Sequence, residues 1–324
     1  MNAPALPRHA TTGVLTTSRG QSLALFTPTP EASRRYVEFF TANIRNPNTR
    51  KAYARAASDF ATWCELHGIA DVRQVQPVHV AAYIEGLKIA DPSIKQRLAA
   101  LRMLFDWLVI GQVMPMNPAS SVRGPRHSVK KGKTPVLAAE EARALLDAID
   151  ISTLIGLRDR ALIGLMVYTF ARVGAAIAMR VDDVYIQGRR TWVRLHEKGG
   201  KVHEMPCHHN LEAWLHEYVE GALLGDAKGY LFRSAAGRTG RLANTPMAQA
   251  DVFRMVGRRA DAAGIRTRIG CHSFRATGIT EYLRNGGKLE IAQAMANHES
   301  ARTTGLYDRR NDQVSLDEIE RILI

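Results

Sequence analysis

Cysteine is scarce, with three in 324 residues at Cys64, Cys207 and Cys271. Their wide spacing and odd number exclude a disulfide framework and any CxxC metal or redox site, which fits a reducing compartment. Long apolar runs are missing too. No stretch approaches the roughly 20 residues that a spanning helix needs, because charges cut the longest candidates. The start, MNAPALPRHATTG, carries no secretory apolar core. A GxxxxGK[ST] phosphate loop is absent, so chemistry driven by nucleotide hydrolysis is not indicated. Acidic residues are outnumbered: 31 Asp+Glu face 44 Lys+Arg, for a net charge of +13 and a pI near 10.0. That balance favours a polyanionic partner, with nucleic acid ahead of an anionic membrane surface.

What is present divides into blocks. The length suits two domains, each able to bury its own core. Residues 1 to 30 are rich in Pro, Thr, Ser and Ala without apolar periodicity and read as a flexible tail, so structure is expected from about Glu31. Helical periodicity follows. Thr49 to Leu66 puts Tyr53, Ala57, Phe60, Ala61 and Cys64 on one stripe, flanked by Arg50, Lys51 and Arg55. Further helices are predicted from Pro77 to Leu87 and from Pro92 to Ile110. The segment PMNPASSVRGPRHSVKKGKTP has no carboxylate and reads as a basic interdomain connector able to touch a DNA backbone. Beyond it, helices are predicted at Ala138 to Ala148 and Leu157 to Phe170. Val181 to Ile186, Thr191 to Leu195 and Val202 to Met205 are predicted strands of a small antiparallel sheet. From Leu211 the pattern returns to helix, broken by a glycine-rich stretch at 225–240.

Six residues of the second half stand in an order that suits metal-free phosphodiester chemistry: Arg172, Lys198, His272, Arg275, His298 and Tyr307. They supply cationic donors, a proton-donating lysine, imidazoles and a nucleophilic phenol. Each has a bland reading by itself. Arg172 could serve exposed carbonyls at a helix end, HxxR matches are common, and Lys198 and its neighbour Lys201 in EKGGK could both be solvated turn residues. A lone histidine or tyrosine is usually a packing residue. The cluster His203, Cys207, His208 and His209 matches no standard zinc spacing, so no metal is expected.

The order Arg, Lys, HxxR, His, Tyr over residues 136–324 resembles the catalytic domain of tyrosine recombinases, the phage-integrase and Xer-like group. NTRKAYARAASDFATWC is similar to the first-helix signature of that family's core-binding domain. The resemblance implies a mainly α fold with a small antiparallel β-sheet: a helical, SAM-like core-binding domain at 31–118, a basic connector at 119–135 and an α+β catalytic domain at 136–324. It makes Tyr307 the nucleophile of a 3′-phosphotyrosyl intermediate, Arg172 and Arg275 phosphate clamps, Lys198 the acid for the leaving 5′-oxygen, and His272 and His298 the proton-handling pair. DNA contacts are expected from Thr49, Arg50, Tyr53, Lys95, Arg123, Arg126, Lys130 and Lys131.

The implied reaction is site-specific recombination through a Holliday junction, serving integration, excision, transposition or resolution. It needs no cofactor. The implied partners are double-stranded DNA and further copies of the chain, a dimer on each site and a homotetramer on two, in the cytoplasm at the nucleoid. The alternatives are a type IB-like topoisomerase or telomere resolvase, and a silent DNA-binding regulator. Three positions depart from the family pattern: Phe170 where its arginine box has glycine, Ala175 where that box has an acid, and Asn297 where glycine precedes the second histidine.

Overall fold

The computed structural model describes residues 24–126, 132–197 and 200–308. It is mainly helical and falls into two compact units, Met1–Ser128 and Val129–Ile324. Lys130, Lys131 and Lys198 lie outside the described residues.

The four α-helices described in the first unit each have a proline in the first turn, where the missing N–H costs nothing. These are α1 (Pro30–Glu38), α2 (Pro47–Leu66), α3 (Pro77–Gly86) and α4 (Asp91–Ile110). Asn46 caps α2 by accepting from the Asn48 and Thr49 backbones at 2.9 and 3.2 Å, so this helix starts two residues before Thr49. Phe60, Ala61 and Cys64 of α2 meet Leu98, Leu101, Leu104, Phe105 and Leu108 of α4 in one apolar core.

Two sequence boundaries shift. Order begins before Glu31, since a short turn at Ala24–Phe26 buries Leu25 and Phe26 fully against Tyr36 and its neighbours. The basic connector starts later than residue 119. Ala119 and Val122 are core residues of the first unit, and Arg102 donates to both of their carbonyls. Composition shows that a segment is basic and proline-rich; it does not show which of its few apolar side chains find a pocket.

The second unit is built on α6 (Leu154–Tyr168), apolar on nearly all sides and packed among α5 (Ala139–Asp147), α8 (His209–Gly221), α9 (Gln249–Ala262) and α10 (Cys271–Arg284). A short α7 (Val173–Ala178) follows α6. The sheet is antiparallel in the order β1 (Val184–Gln187), β2 (Arg190–His196), β3 (Val202–Pro206). Val193 pairs with Val184 on one side and Met205 on the other, which puts Val193, Leu195 and Met205 on the core face. Val181–Asp183 is a tight helical turn instead of the start of β1. The glycine-rich stretch hides a second hairpin, β4 (Arg233–Ala235) and β5 (Leu242–Pro246), whose turn uses Gly237 and Gly240 at positive φ. Two short helices, α11 (Leu289–Met295) and α12 (Ala301–Gly305), are the last described elements of the unit. Among the described residues no helix is long and apolar enough to cross a membrane.

Helix α10 crosses α6 closely because Gly278 has no side chain. A Cβ there would lie 2.1 Å from the Val167 carbonyl and 2.8 Å from the Phe170 ring. Gly278→Ala is therefore expected to destabilise the unit by about 1–3 kcal/mol through displacement of α10. A thermal melt matching that of the unmodified chain would contradict this packing.

Candidate active site

Helix α10 gathers most of the chemistry. Gly270 and Ser273 start it reciprocally, the Gly270 N–H donating to Ser273 Oγ at 3.2 Å and the Ser273 N–H to the Gly270 carbonyl at 2.9 Å. His272 lies in this first turn, and Arg275, three residues on, shares its face. The rest of the helix turns Ala276, Ile279 and Leu283 into a small core with Phe170, Ala292, Ala296 and Tyr307. Thr280 Oγ1 also donates to the Tyr307 carbonyl at 3.1 Å, so α10 fixes both ends of that tyrosine.

Arg275 is only 1% exposed. Nη1 donates to the Phe170 carbonyl and Nη2 to the Ala296 carbonyl, while Nε has no partner among the described residues. Both carbonyls sit at helix C-termini, where unsatisfied oxygens and the helix dipole favour a cation. The end of α11 is a Schellman turn: the His298 N–H reaches the Gln293 carbonyl at 3.1 Å and the Asn297 N–H the Ala294 carbonyl at 2.9 Å. Asn297 takes φ +47° there, and Phe170, next to the C-cap of α6, takes φ +54°. The two positions where the family pattern has glycine are thus the two left-handed residues beside Arg275. Asparagine tolerates that conformation. Phenylalanine does not easily, and its strain of about 1–3 kcal/mol is offset by burying the ring against Tyr282 and α10.

The Schellman turn delivers His298, whose Nδ1 lies 2.9 Å from Thr304 Oγ1 and whose ring is parallel to that of Tyr307 at 6.0 Å. His272 Nε2 lies 2.7 Å from Tyr307 Oη. Burial, then the charges of Arg275 and Arg172, hold His272 below its usual value, and the same causes push His298 down to about 4. Both imidazoles are neutral at neutral pH. Burial raises the Tyr307 phenol against the opposing pull of the two arginines. The phenol is therefore protonated at rest, and with the His272 proton on Nδ1 it donates to Nε2. Arg275 itself drops to about 10, chiefly by burial and then by the neighbouring Arg172, and stays charged.

Arg172 is the N-cap residue of α7, its carbonyl accepting from Ala175 and Ala176. Its side chain remains 42% exposed, and Nη1 donates to Glu197 Oε2 at 2.6 Å. The two arginines therefore differ: Arg172 is partly exposed beside Glu197, whereas Arg275 is buried with both Nη groups on backbone carbonyls. Five of the six catalytic candidates converge in this way. Sequence reasoning missed Glu197 and Thr304; the first stands directly before Lys198, a position that could have flagged it.

Of the expected DNA contacts, Lys95, Arg123 and Arg126 are exposed, Thr49 is half-buried, and Tyr53 packs against the first core. Arg50 turns inward, donating from Nε and Nη2 to the Ile44 carbonyl at 3.1 and 2.8 Å. The open basic surface lies one helical step away, in a groove of about 380 Å³ between α2 and α4 lined by Asn48, Lys51, Arg55, Ser93, Gln96 and Arg97. In the histidine-rich segment, His208 caps α8 and stacks on Tyr168 at 4.2 Å. Among the described residues no group of three or more His, Cys, Asp or Glu side chains is arranged to hold a metal ion.

Residues 135–314 match the sequence pattern of the phage integrase family, and residues 35–111 that of the phage integrase N-terminal SAM-like domain. Tyrosine recombinase XerD of Corynebacterium glutamicum is 26% identical over 271 residues, covering 80% of this chain and 86% of that protein. In fold, the XerH site-specific recombinase bound to cleaved difH DNA superposes with a TM-score of 0.66 at 20% identity, covering 84% of this chain and 78% of the other. A lambda integrase tetramer bound to a Holliday junction gives 0.68 at 17% identity, covering 88% and 79%.

The neutral His272 generates a pH expectation. Because burial and the two arginines hold its value below 6.5, the midpoint of its protonation, which removes the acceptor, lies below that pH. Covalent adduct formation on nicked duplexes, selected by the protein from a random-sequence library, should show an acid limb centred below pH 6.5. An acid limb centred at or above 6.5 would contradict the assignment.

Proposed function

The chain belongs to the phage integrase family of tyrosine recombinases, and from that premise we propose how its site cuts and rejoins DNA. Tyr307 Oη attacks the scissile phosphorus as its proton passes to His272 Nε2, across the 2.7 Å contact that carries this reading. The bond from phosphorus to the 5′-oxygen breaks, and Lys198 protonates that oxygen, leaving a 3′-phosphotyrosyl link and a free 5′-hydroxyl. Arg172 binds a nonbridging oxygen through the donors that Glu197 leaves open. Arg275 supplies fixed positive charge, and His298 hydrogen-bonds the crowded phosphorane.

The ester conserves the free energy of the broken bond, so a 5′-hydroxyl from another strand reverses the attack without nucleotide hydrolysis. Exchanging strands pairwise in this way passes through a Holliday junction in a homotetramer spanning two sites, one dimer on each. The fold likeness to the lambda integrase tetramer supports this assembly. The groove between α2 and α4, with Lys95, Arg123 and Arg126, supplies phosphate and groove contacts in the first unit. The reaction is assigned to the cytoplasm, at the nucleoid.

Tyr307→Phe should abolish the covalent protein–DNA adduct on the selected duplexes while binding affinity is unchanged; a persisting adduct would overturn the nucleophile. Lys198→Ala should cleave slowly and recover on a duplex with a 5′-thio leaving group, whose departure needs no acid. Failure to recover would move the acid role to another residue, with Lys201 of the same hairpin the first to test.

A further inference from the structure

The loop between β2 and β3 meets the catalytic cluster through a carboxylate. Glu197 has a side chain only 4% exposed, with Oε2 at 2.6 Å from Arg172 Nη1. Its backbone N–H donates to the Lys201 carbonyl at 2.7 Å, and Lys201 Nζ pairs with Glu299, the residue after His298, at 2.8 Å. A carboxylate this buried is unfavourable unless a cation stands against it, so the pair fixes both partners. Among the described residues Glu197 is the one carboxylate within ion-pair distance of Arg172. The helix that Arg172 opens, VGAAIA, has none.

We propose that Glu197 is the positioning residue for Arg172: it holds one arm of the guanidinium so that the remaining N–H groups face the scissile phosphate. As the residue before Lys198, it also couples the loop that carries the acid to the phosphate clamp. A charge-assisted hydrogen bond restricts a planar fork far more than a neutral one. The carboxylate touches Arg172 directly, and its charge also acts on Arg275. This inference rests on the reading of Arg172 given above.

The test uses the full chain and the same selected, nicked duplexes, recording single-turnover adduct formation, duplex affinity and melting temperature. Glu197→Gln should slow adduct formation roughly 10- to 100-fold. Affinity should hold, because many phosphate contacts share the binding. Glu197→Asp, which keeps the charge, should recover part of the rate. A Gln variant cleaving at the wild-type rate would overturn the proposal, as would an Asp variant as slow as Gln, whatever their melting temperatures. A wild-type chain that forms no adduct, or an Arg172→Ala chain that cleaves at full rate, would instead overturn the functional reading beneath it.

Discussion

A guanidinium almost without access to water ties three helices of the second unit together. Arg275 leaves α10 and ends on the carbonyls of Phe170 and Ala296, the exits of α6 and α11, so one charge satisfies two helix termini. Removing it would strand two buried acceptors and release α6 and α11 from α10. The placement also sets the electrostatics. Burial first, and then the charge of Arg275 with that of Arg172, keeps His272 and His298 neutral, while the two charges oppose the effect of burial on the Tyr307 phenol. Fold stability and reactivity thus meet in one side chain.

The backbone around Arg275 carries the matching constraint. For the two carbonyls to converge, the chain must reverse sharply after each helix, and it does so through left-handed residues. Asn297 suits that role. Phe170 accepts strain there, balanced by a ring that fills the small core beneath Tyr307. The departures from the family's glycines are therefore local solutions to an unchanged geometric demand. Ala175 is a different case. With no acid on that turn, the carboxylate beside Arg172 arrives from the hairpin.

Much of this was legible in the sequence because it depends on order and period. The stripes of α2 and α4, the apolar α6 and the three-stranded sheet are local patterns, and the set ending at Tyr307 is read from its order along the chain. What was not legible depends on partners far apart in the chain. Arg275 and the Phe170 carbonyl are 105 residues apart, so spacing alone could not show that the guanidinium is held by two helix-end carbonyls. Arg50 looked free on its helix until the Ile44 carbonyl was seen beside it. The hairpin at 233–246 was masked by glycines that serve as its turn, and Leu25 and Phe26 by the polar composition around them.

Tyr307, hydrogen-bonded to a neutral His272 within the field of two arginines, is the proposed point of covalent attachment to DNA. Mass spectrometry of the wild-type chain after reaction with a nicked duplex, nuclease trimming and proteolysis tests it most directly. A 3′-nucleotidyl phosphate is expected on the peptide carrying Tyr307. A nucleotide on any other residue, or none on any peptide, would contradict it.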